Sequence, residues 1–124
     1  IVMAGTLKYP LSHAEFSRLL TTTLKHQVLS IGNKDLISRV AWCTGGGQSF
    51  IDDVVEQSIN GQALDAFFSG DISEQTTHSA REHNVDFFAA GHHAKERYGV
   101  RALGEWLMEK HPLEVEFVDI DNPA

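Results

Sequence analysis

The feature that most constrains the fold of this 124-residue chain is a unit that occurs three times. Each unit is an apolar, β-rich run, then a turn of small or polar residues, then a segment with helical spacing. The three runs lie at residues 40–43, 63–68 and 85–90. Nearly continuous apolar runs are typical of strands buried on both faces of a sheet, and alternation with helices predicts an α/β fold. We expect a layered mixed β-sheet flanked by helices, with these runs as its central strands.

The remaining elements follow from capping signals and spacing. Ser12 with Glu15 three residues later is a capping-box pattern, which predicts a helix over residues 12–26. Further helices are predicted at residues 49–60, 73–84 and 94–111. Residues 27–31 are predicted to form a strand, and so is the alternating stretch LEVEFVDI at residues 113–120.

Apolar side chains on two of these helices are expected to face the core. In the first helix they are Phe16, Leu19, Leu20 and Leu24, and in the last they are Leu103, Trp106 and Leu107. Trp42 and Trp106 both have apolar neighbours, so we expect both to be largely buried.

Composition limits the class of protein. The chain is long enough for one domain with one core, and its formal net charge of -7 gives no sign of a phosphate-neutralising surface, so nucleic acid is not an expected partner. Cys43 is the only cysteine, which excludes an internal disulfide and is compatible with a reducing compartment. No run is apolar over the roughly 18 residues of a membrane span, and no signal-peptide layout is present. A cytoplasmic location is the default expectation.

Polar or small residues follow each of the three central runs, at residues 44–48, 70–71 and 91–96. Open α/β sheets keep their ligand crevice at the carboxyl ends of the strands, so we expect a cleft there. The glycines Gly45, Gly46 and Gly47 would allow backbone N–H groups to approach an anion, but a plain tight turn explains them equally well. Asp71 is a candidate ligand or base, and helix capping is its alternative role.

His92 and Glu96 are the strongest candidates for metal ligands. Their i, i+4 spacing at a helix start puts an imidazole and a carboxylate on one side, although the same spacing also suits a simple hydrogen bond. His93 points about 100° away on a helix and is expected near the site or at the surface. Two ligands alone hold a metal poorly. The histidines His13, His26, His78, His83 and His111 are expected to be surface residues.

Three runs in this order carry a family resemblance: RVAWCTGGGQSFID, FFSGDISEQTTHSARE and FFAAGHHAKERYGVRALGEWL. Over about residues 38–124 the chain resembles the C-terminal half of the YbgI-type GTP cyclohydrolase 1 type 2 homologues. In that family a dinuclear metal centre lies between two α/β halves, and the C-terminal half supplies one His and one Glu. The resemblance assigns these roles to His92 and Glu96, as ligands of divalent zinc, iron, manganese or nickel.

The family's paired-His motif and aspartate of the N-terminal half are absent from this sequence. Together with the start at Ile1 and the length, this predicts that residues 1–124 are a single α/β domain and the second half of a two-part fold. The resemblance implies two partners, the chain's own N-terminal half and further copies in a hexameric ring. It places Gly45, Gly46, Gly47 and the Gly70–Asp71 turn beside the cleft. Gln75 stands where many members have a histidine, which counts against an acid/base role there.

The function implied by the resemblance is that of a metal-dependent hydrolase. Two divalent metals would lower the pKa of a bridging water, with Glu96 as bridging ligand and His92 as terminal ligand, and the small-molecule substrate is not specified. A non-catalytic metal-binding assembly protein is the alternative. A metal-free α/β module is the third interpretation for these residues alone.

Overall fold

The computed structural model describes residues 2–56 and 61–123. Its strands are β1 (Val2–Leu11), β2 (Leu29–Ile31), β3 (Ile37–Cys43), β4 (Ala66–Ser69) and β5 (Asp86–Ala89). Its α-helices are α1 (His13–Leu24), α2 (Ile51–Glu56), α3 (Glu74–Glu82) and α4 (His92–Lys110). A short 3-10 helix, Gln48–Phe50, leads into α2.

The five strands form one mixed sheet in the order β1-β3-β4-β5-β2. The three central strands β3, β4 and β5 run parallel, whereas β1 and β2 pair antiparallel at the two edges. The predicted α/β class and the predicted central strands are therefore confirmed. The central position follows from sequence, because strands covered on both faces need apolar residues throughout, and Ala41, Phe67 and Phe87 are fully buried.

The core lies on both faces of this sheet. Ile51 and Val54 of α2 pack on one face with Phe67 and Phe87, whose rings meet edge to face at 5.7 Å. On the other face Phe16 and Leu20 of α1 pack with Ile37, Val40 and Phe88. Full burial of each large apolar side chain contributes about 1.5–3 kcal/mol to folding, so these two clusters fix the helices on the sheet.

The amino end of the chain is only partly as predicted. α1 begins with the expected capping box, in which Ser12 accepts from the Glu15 N–H and Glu15 accepts from the Ser12 N–H. Phe16, Leu20 and Leu24 are buried, but Leu19 is 48% exposed, so its predicted burial is wrong. β1 was not predicted, because its residues show no clean alternation and its stability comes from pairing with β3.

The predicted helices differ from the structure at their ends, and α1 and α3 each end two residues before the predicted position. The helix predicted at residues 49–60 begins as the 3-10 turn, and its last four positions lie outside the described residues. The helix predicted at 94–111 begins two residues earlier, at His92, so that His92 and Glu96 are both helical. Within the described residues, no helix is both long and apolar enough to cross a membrane.

The carboxyl end departs most from expectation. Residues 113–120 form neither strand nor helix, so the predicted closing strand is wrong. An alternating segment becomes a strand only when it pairs with another strand. Residues 113–120 pair with neither edge strand of the sheet, β1 or β2. The segment runs beside α4 instead: Arg97 donates to Asp119 at 3.1 Å, and Val115 lies close to Gly104.

Predicted burial on α4 is also wrong in part. Leu103 is 55% and Trp106 48% exposed, whereas Leu107 is half-buried. Only the start of α4, at Ala94 and Tyr98, joins a core cluster of the described residues, and these three positions lie further along the helix. Trp42 is half-buried and stacks on Phe68 at 5.9 Å between ring centroids.

Candidate metal half-site

The turns that follow β3, β4 and β5 meet at one edge of the sheet. The Gly70 N–H donates to the Gly45 carbonyl at 2.8 Å, and the Gly91 N–H donates to the Gly70 carbonyl at 3.0 Å. The parallel hydrogen bonding of the sheet therefore continues past the strands into the turns. The expected cleft region is assembled at the carboxyl ends of the central strands, where open α/β sheets bind ligands.

Buried polar groups hold the glycine turn in place. Ser69 is fully buried, and its hydroxyl accepts from the Gly47 N–H at 2.9 Å and donates to the Gly45 carbonyl at 3.3 Å. Without Ser69 the buried Gly47 N–H would lose its acceptor, a cost of about 1–3 kcal/mol, whereas the Gly45 carbonyl would keep the Gly70 N–H. Ser69 therefore fixes the turn that lines the site.

Lys95 is a buried charge directly behind this site. It is 6% exposed, and its ammonium donates to the carbonyls of Cys43 and Phe68, the second at 3.1 Å, while lying 4.6 Å from the centre of the Phe68 ring. Burial lowers the pKa of Lys95 to about 8. The side chain ties the start of α4 to the ends of β3 and β4.

His92 lies between two carboxylates. Its Nδ1 is 2.8 Å from Asp71 Oδ2, and its Nε2 is 3.2 Å from Glu96 Oε1. The hydrogen bond with Asp71, and then the nearby carboxylate charges, raise the pKa of His92 above its ordinary value, while burial opposes them. Side-chain exposure of 42–56% leaves all three groups accessible to solvent. The arrangement concentrates negative charge around one imidazole.

The two ring nitrogens of His92 differ in what they can bind. An ionised Asp71 can only accept, so it takes the Nδ1–H and leaves Nε2 to face Glu96. Neither the Nε2 lone pair nor an ionised Glu96 can donate, so their contact favours a proton or another cation on Nε2. The raised pKa of His92 agrees with a proton there, and a divalent cation would have the same electrostatic role.

Glycine is required where the turns touch these side chains. A Cβ on Gly45, whose φ is +63°, would meet the Glu96 carboxylate, and one on Gly46 would lie 2.5 Å from Asp71 Oδ2. A Cβ on Gly70 would lie 2.6 Å from the Gly45 carbonyl oxygen and 2.7 Å from His92 Cα. The glycines therefore allow close approach of backbone to the His92 cluster rather than forming an open anion loop.

The structure places the other predicted residues as follows. Asp71 is not a helix cap, because Ser73 caps α3. Gln75 is exposed in the first turn of α3, and His93 faces Asp119, with its Nε2 3.9 Å from Asp119 Oδ1. The site therefore comprises His92, Glu96 and Asp71, with Gly45 and Gly46 packed against them.

The donor set fits a divalent cation only in part. Imidazole nitrogen and carboxylate oxygen are suitable ligands for zinc, iron, manganese or nickel. Among residues 2–56 and 61–123, however, no group of three or more His, Cys, Asp or Glu side chains converges to hold a metal. Asp71 does not complete the set because it is occupied on the far side of the imidazole. We therefore describe His92 and Glu96 as a half-site.

Sequence reasoning missed one polar cluster completely. His13, predicted to be a surface residue without polar company, lies 2.7 Å from Asp86 and 2.9 Å from Ser30, and that prediction is wrong. The three residues are far apart in the chain and share no motif. Only the tertiary fold brings α1 onto β2 and β5, so no local signal could have identified the cluster.

Comparison with known proteins gives concordant matches. The family Duf34/NIF3 (NGG1p interacting factor 3) matches residues 1–123. A GTP cyclohydrolase 1 type 2 homolog of Pasteurella multocida is 54% identical over 100% of this chain and 48% of its own length. The homolog of Escherichia coli K12 is 48% identical over 100% of this chain and 49% of its own length.

Solved structures agree with the fold. The protein ybgI, described as of unknown function, is 49% identical and superposes with a TM-score of 0.91 over 99% of this chain and 49% of that one. HcgD from Methanocaldococcus jannaschii, at 22% identity, has a TM-score of 0.70 over 92% of this chain and 44% of its own. The chain thus spans about half the length of the curated relatives it matches.

Proposed function

Because this chain belongs to the Duf34/NIF3 family, we propose that it supplies one half of the dinuclear metal centre of a metal-dependent, hydrolase-like protein. The observation that carries the proposal is the geometry of His92. Its Nδ1 is held by Asp71 and its Nε2 is aimed at Glu96 across 3.2 Å. A histidine whose second nitrogen is bonded to a carboxylate is the usual form of a metal-ligating imidazole.

Each residue has a separate task in this account. His92 offers its Nε2 lone pair as a terminal ligand, and Glu96 offers a carboxylate that can bridge two cations. Asp71 fixes the orientation of the imidazole ring and keeps the proton on Nδ1. A bound divalent metal would supply Lewis acidity, lowering the pKa of a water toward neutrality for attack on a ring carbon or another polar bond of a small-molecule substrate. Gly45 and Gly46 keep the near wall of the cleft thin enough for these side chains to converge.

The remaining ligands are proposed to come from an N-terminal half. The support is that the relatives are about twice as long as this chain, and that the ligand count here stops at two. Several large apolar side chains of α4 and the segment after it are exposed, among them Val100, Leu103 and Ile120. A second α/β half, or further copies in a hexameric ring, would cover such a surface.

The test compares two glutamates of α4 in a protein that carries this chain together with its N-terminal half. Glu96→Gln keeps the size of the side chain but removes the bridging charge, so we expect loss of bound zinc or manganese and of any turnover of purine nucleotides. Glu105→Gln is the matched control, because Glu105 is exposed on the same helix and pairs with Arg101 at 2.9 Å. Equal metal content in both variants and the parent would refute the half-site.

A non-catalytic assembly protein is the second candidate. The exposed apolar surface of α4 and residues 113–120 favours it, since such a surface is typical of a contact between protein parts. In that case the metal has a structural or regulatory role and the ring itself is the function. Normal metal content that depends on Glu96, without turnover of any purine nucleotide tested, would favour assembly over hydrolysis.

A further inference from the structure

A second histidine with a carboxylate partner lies at the other end of β5 from the metal half-site. His13 is the first residue of α1, and its Nδ1 is 2.7 Å from Asp86 Oδ2. Its Nε2 is 2.9 Å from the hydroxyl of Ser30, the central residue of β2. A carboxylate, an imidazole and a serine hydroxyl in this order of contact are the groups that activate a serine for nucleophilic attack.

The hydrogen bonds around Asp86 decide which group donates in each contact of the cluster. Asp86 is 2% exposed and also accepts the N–H groups of Asn33 at 3.2 Å and Lys34 at 3.0 Å, which stabilise an ionised carboxylate. An ionised carboxylate only accepts, so the proton between Asp86 and His13 lies on Nδ1. Nε2 then presents a lone pair, and the Ser30 hydroxyl is the group that donates to it.

Packing fixes this geometry before any substrate arrives. The His13 ring stacks on Phe88 with centroids 4.8 Å apart and an angle of 30° between the planes. Ser30 is the register partner of the same Phe88 in the β2–β5 pair. Base and nucleophile are therefore both held against one buried side chain, and a base that needs no reorientation is the requirement for efficient proton transfer.

A groove runs along α1 and the residues just before β2, on the side of the structure that carries the pair, although its lining includes neither His13 nor Ser30. Ser17 lies one turn after His13, and Val28 lies two residues before Ser30, so their side chains share the side of the structure that carries the pair. These two residues, with Thr21, Lys25, His26 and Gln27, line an open groove of about 590 Å³. That volume suits a small ligand such as a short acyl group, and the lining offers both polar and apolar contacts.

We propose that Ser30 is the nucleophile of a separate acyl-transfer site for short carboxylic esters, with His13 as general base and Asp86 as its positioning residue. The Ser30 oxygen forms a bond to the ester carbonyl carbon as its proton moves to His13 Nε2. The ester C–O bond breaks, and the leaving alcohol takes that proton from His13. Water then repeats the sequence, giving the free acid and restoring Ser30.

The first experiment uses a fluorophosphonate probe on this chain, with the modified residue identified by peptide mass spectrometry. The Ser30 oxygen displaces fluoride from phosphorus while its proton passes to His13. We expect the adduct on Ser30, none at that position in Ser30→Ala, and labelling at least about 100-fold slower in His13→Gln, the scale of general-base assistance. Ser79→Ala and His78→Gln, both on α3, are the matched controls and should label Ser30 at the parent rate.

The second experiment measures the rate of p-nitrophenyl acetate hydrolysis. The other histidines of the chain also hydrolyse this ester, so the rate of Ser30→Ala is subtracted as the background. The Ser30-dependent rate should vanish in His13→Gln and persist in both control variants. Circular dichroism of the two site variants separates loss of reactivity from loss of fold. A folded chain without a Ser30 adduct, or with equal labelling in His13→Gln, would overturn the proposal and leave the cluster a structural tie between α1 and the sheet.

Discussion

The two ends of β5 each carry a histidine held at Nδ1 by an aspartate, yet the two histidines differ at Nε2. At one end Nε2 of His13 meets the Ser30 hydroxyl, and at the other Nε2 of His92 meets the Glu96 carboxylate. A hydroxyl can donate to the imidazole lone pair, so the first cluster is satisfied without any added charge. A carboxylate cannot, so the contact in the second cluster favours a proton or another cation on Nε2. The partner at Nε2 is therefore the feature on which our two proposals, a nucleophile at one end and a metal half-site at the other, differ.

The two ends also bury charge differently. Asp86, beside His13, is 2% exposed and accepts from three donors, whereas Asp71, beside His92, is 43% exposed. At the His92 end the buried charge is Lys95, whose acceptors are two backbone carbonyls. At the His13 end the carboxylate is thus buried behind a partly exposed imidazole, and the His92 end is an open site above a buried lysine.

The largest expected effect concerns stability. Asp86→Ala leaves two backbone N–H groups and His13 without their buried acceptor, so we expect a loss of about 3–5 kcal/mol in the free energy of unfolding. Asp71→Ala removes only a solvent-exposed pair and should cost less than about 1 kcal/mol. Urea denaturation of both variants measures the difference. Equal losses would show that the two clusters are buried to the same degree.

The next effect tests the buried charge at the His92 end through pH. The pKa of Lys95 falls from 10.5 to about 8 on folding, so below pH 8 the lysine is charged in both states and the fold carries the full cost of burial. Between these values the folded state loses its proton first, and the free energy of unfolding should rise by about 3 kcal/mol as pH increases. Lys95→Met should remove this rise in denaturation curves recorded from pH 7 to 11. A rise of the same size in the variant would assign it to other groups.

The third effect compares the histidines directly as ligands, in a protein that carries this chain with its N-terminal half. His92→Ala deletes a ligand and should weaken zinc binding by at least about 100-fold, the upper range for loss of a supporting residue. His13→Gln should leave zinc binding unchanged, because His13 faces a serine. Metal analysis after dialysis against a graded chelator measures both. Loss of zinc in His13→Gln would contradict the division between the two ends.

Asp71→Asn should give the smallest of these effects. Asparagine keeps the shape but weakens the hold on Nδ1, and such changes reduce metal affinity by about 10–100-fold. Asp52→Asn is the matched control, since Asp52 is also an exposed aspartate beside a histidine, 3.5 Å from His83, but is not part of the half-site. Titration with zinc of the same longer protein distinguishes the variants. If Asp71→Asn binds zinc like the control, Asp71 does not position the ligand.

The sequence predicted what depends on local pattern. The apolar runs of β3, β4 and β5 identified the centre of the sheet, and the i, i+4 spacing placed His92 and Glu96 on one side of α4. Prediction from the sequence failed where strand formation depends on whether a pairing strand is present. Residues 113–120 alternate like a strand but have no strand beside them within the described residues, and β1 forms because β3 is available to pair with it.

Burial and polar contacts between distant residues were also beyond local pattern. Trp106 has apolar neighbours in the chain, yet only the start of α4 joins a core cluster of the described residues, and Trp106 is 48% exposed. His13, Ser30 and Asp86 meet only after α1 has packed on β2 and β5. Sequence spacing gives which residues share a face of one element, and it does not give which element lies opposite.

The central claim is that the His92 end of β5 holds half of a metal site, and titration of this chain alone with zinc or manganese tests it most directly. His92 and Glu96 provide two ligands, and water must fill the other positions, so we expect weak binding without a defined two-metal stoichiometry. Tight binding should appear only when the N-terminal half is present. A tight, stoichiometric two-metal site in the isolated chain that disappears in His92→Ala would contradict the account.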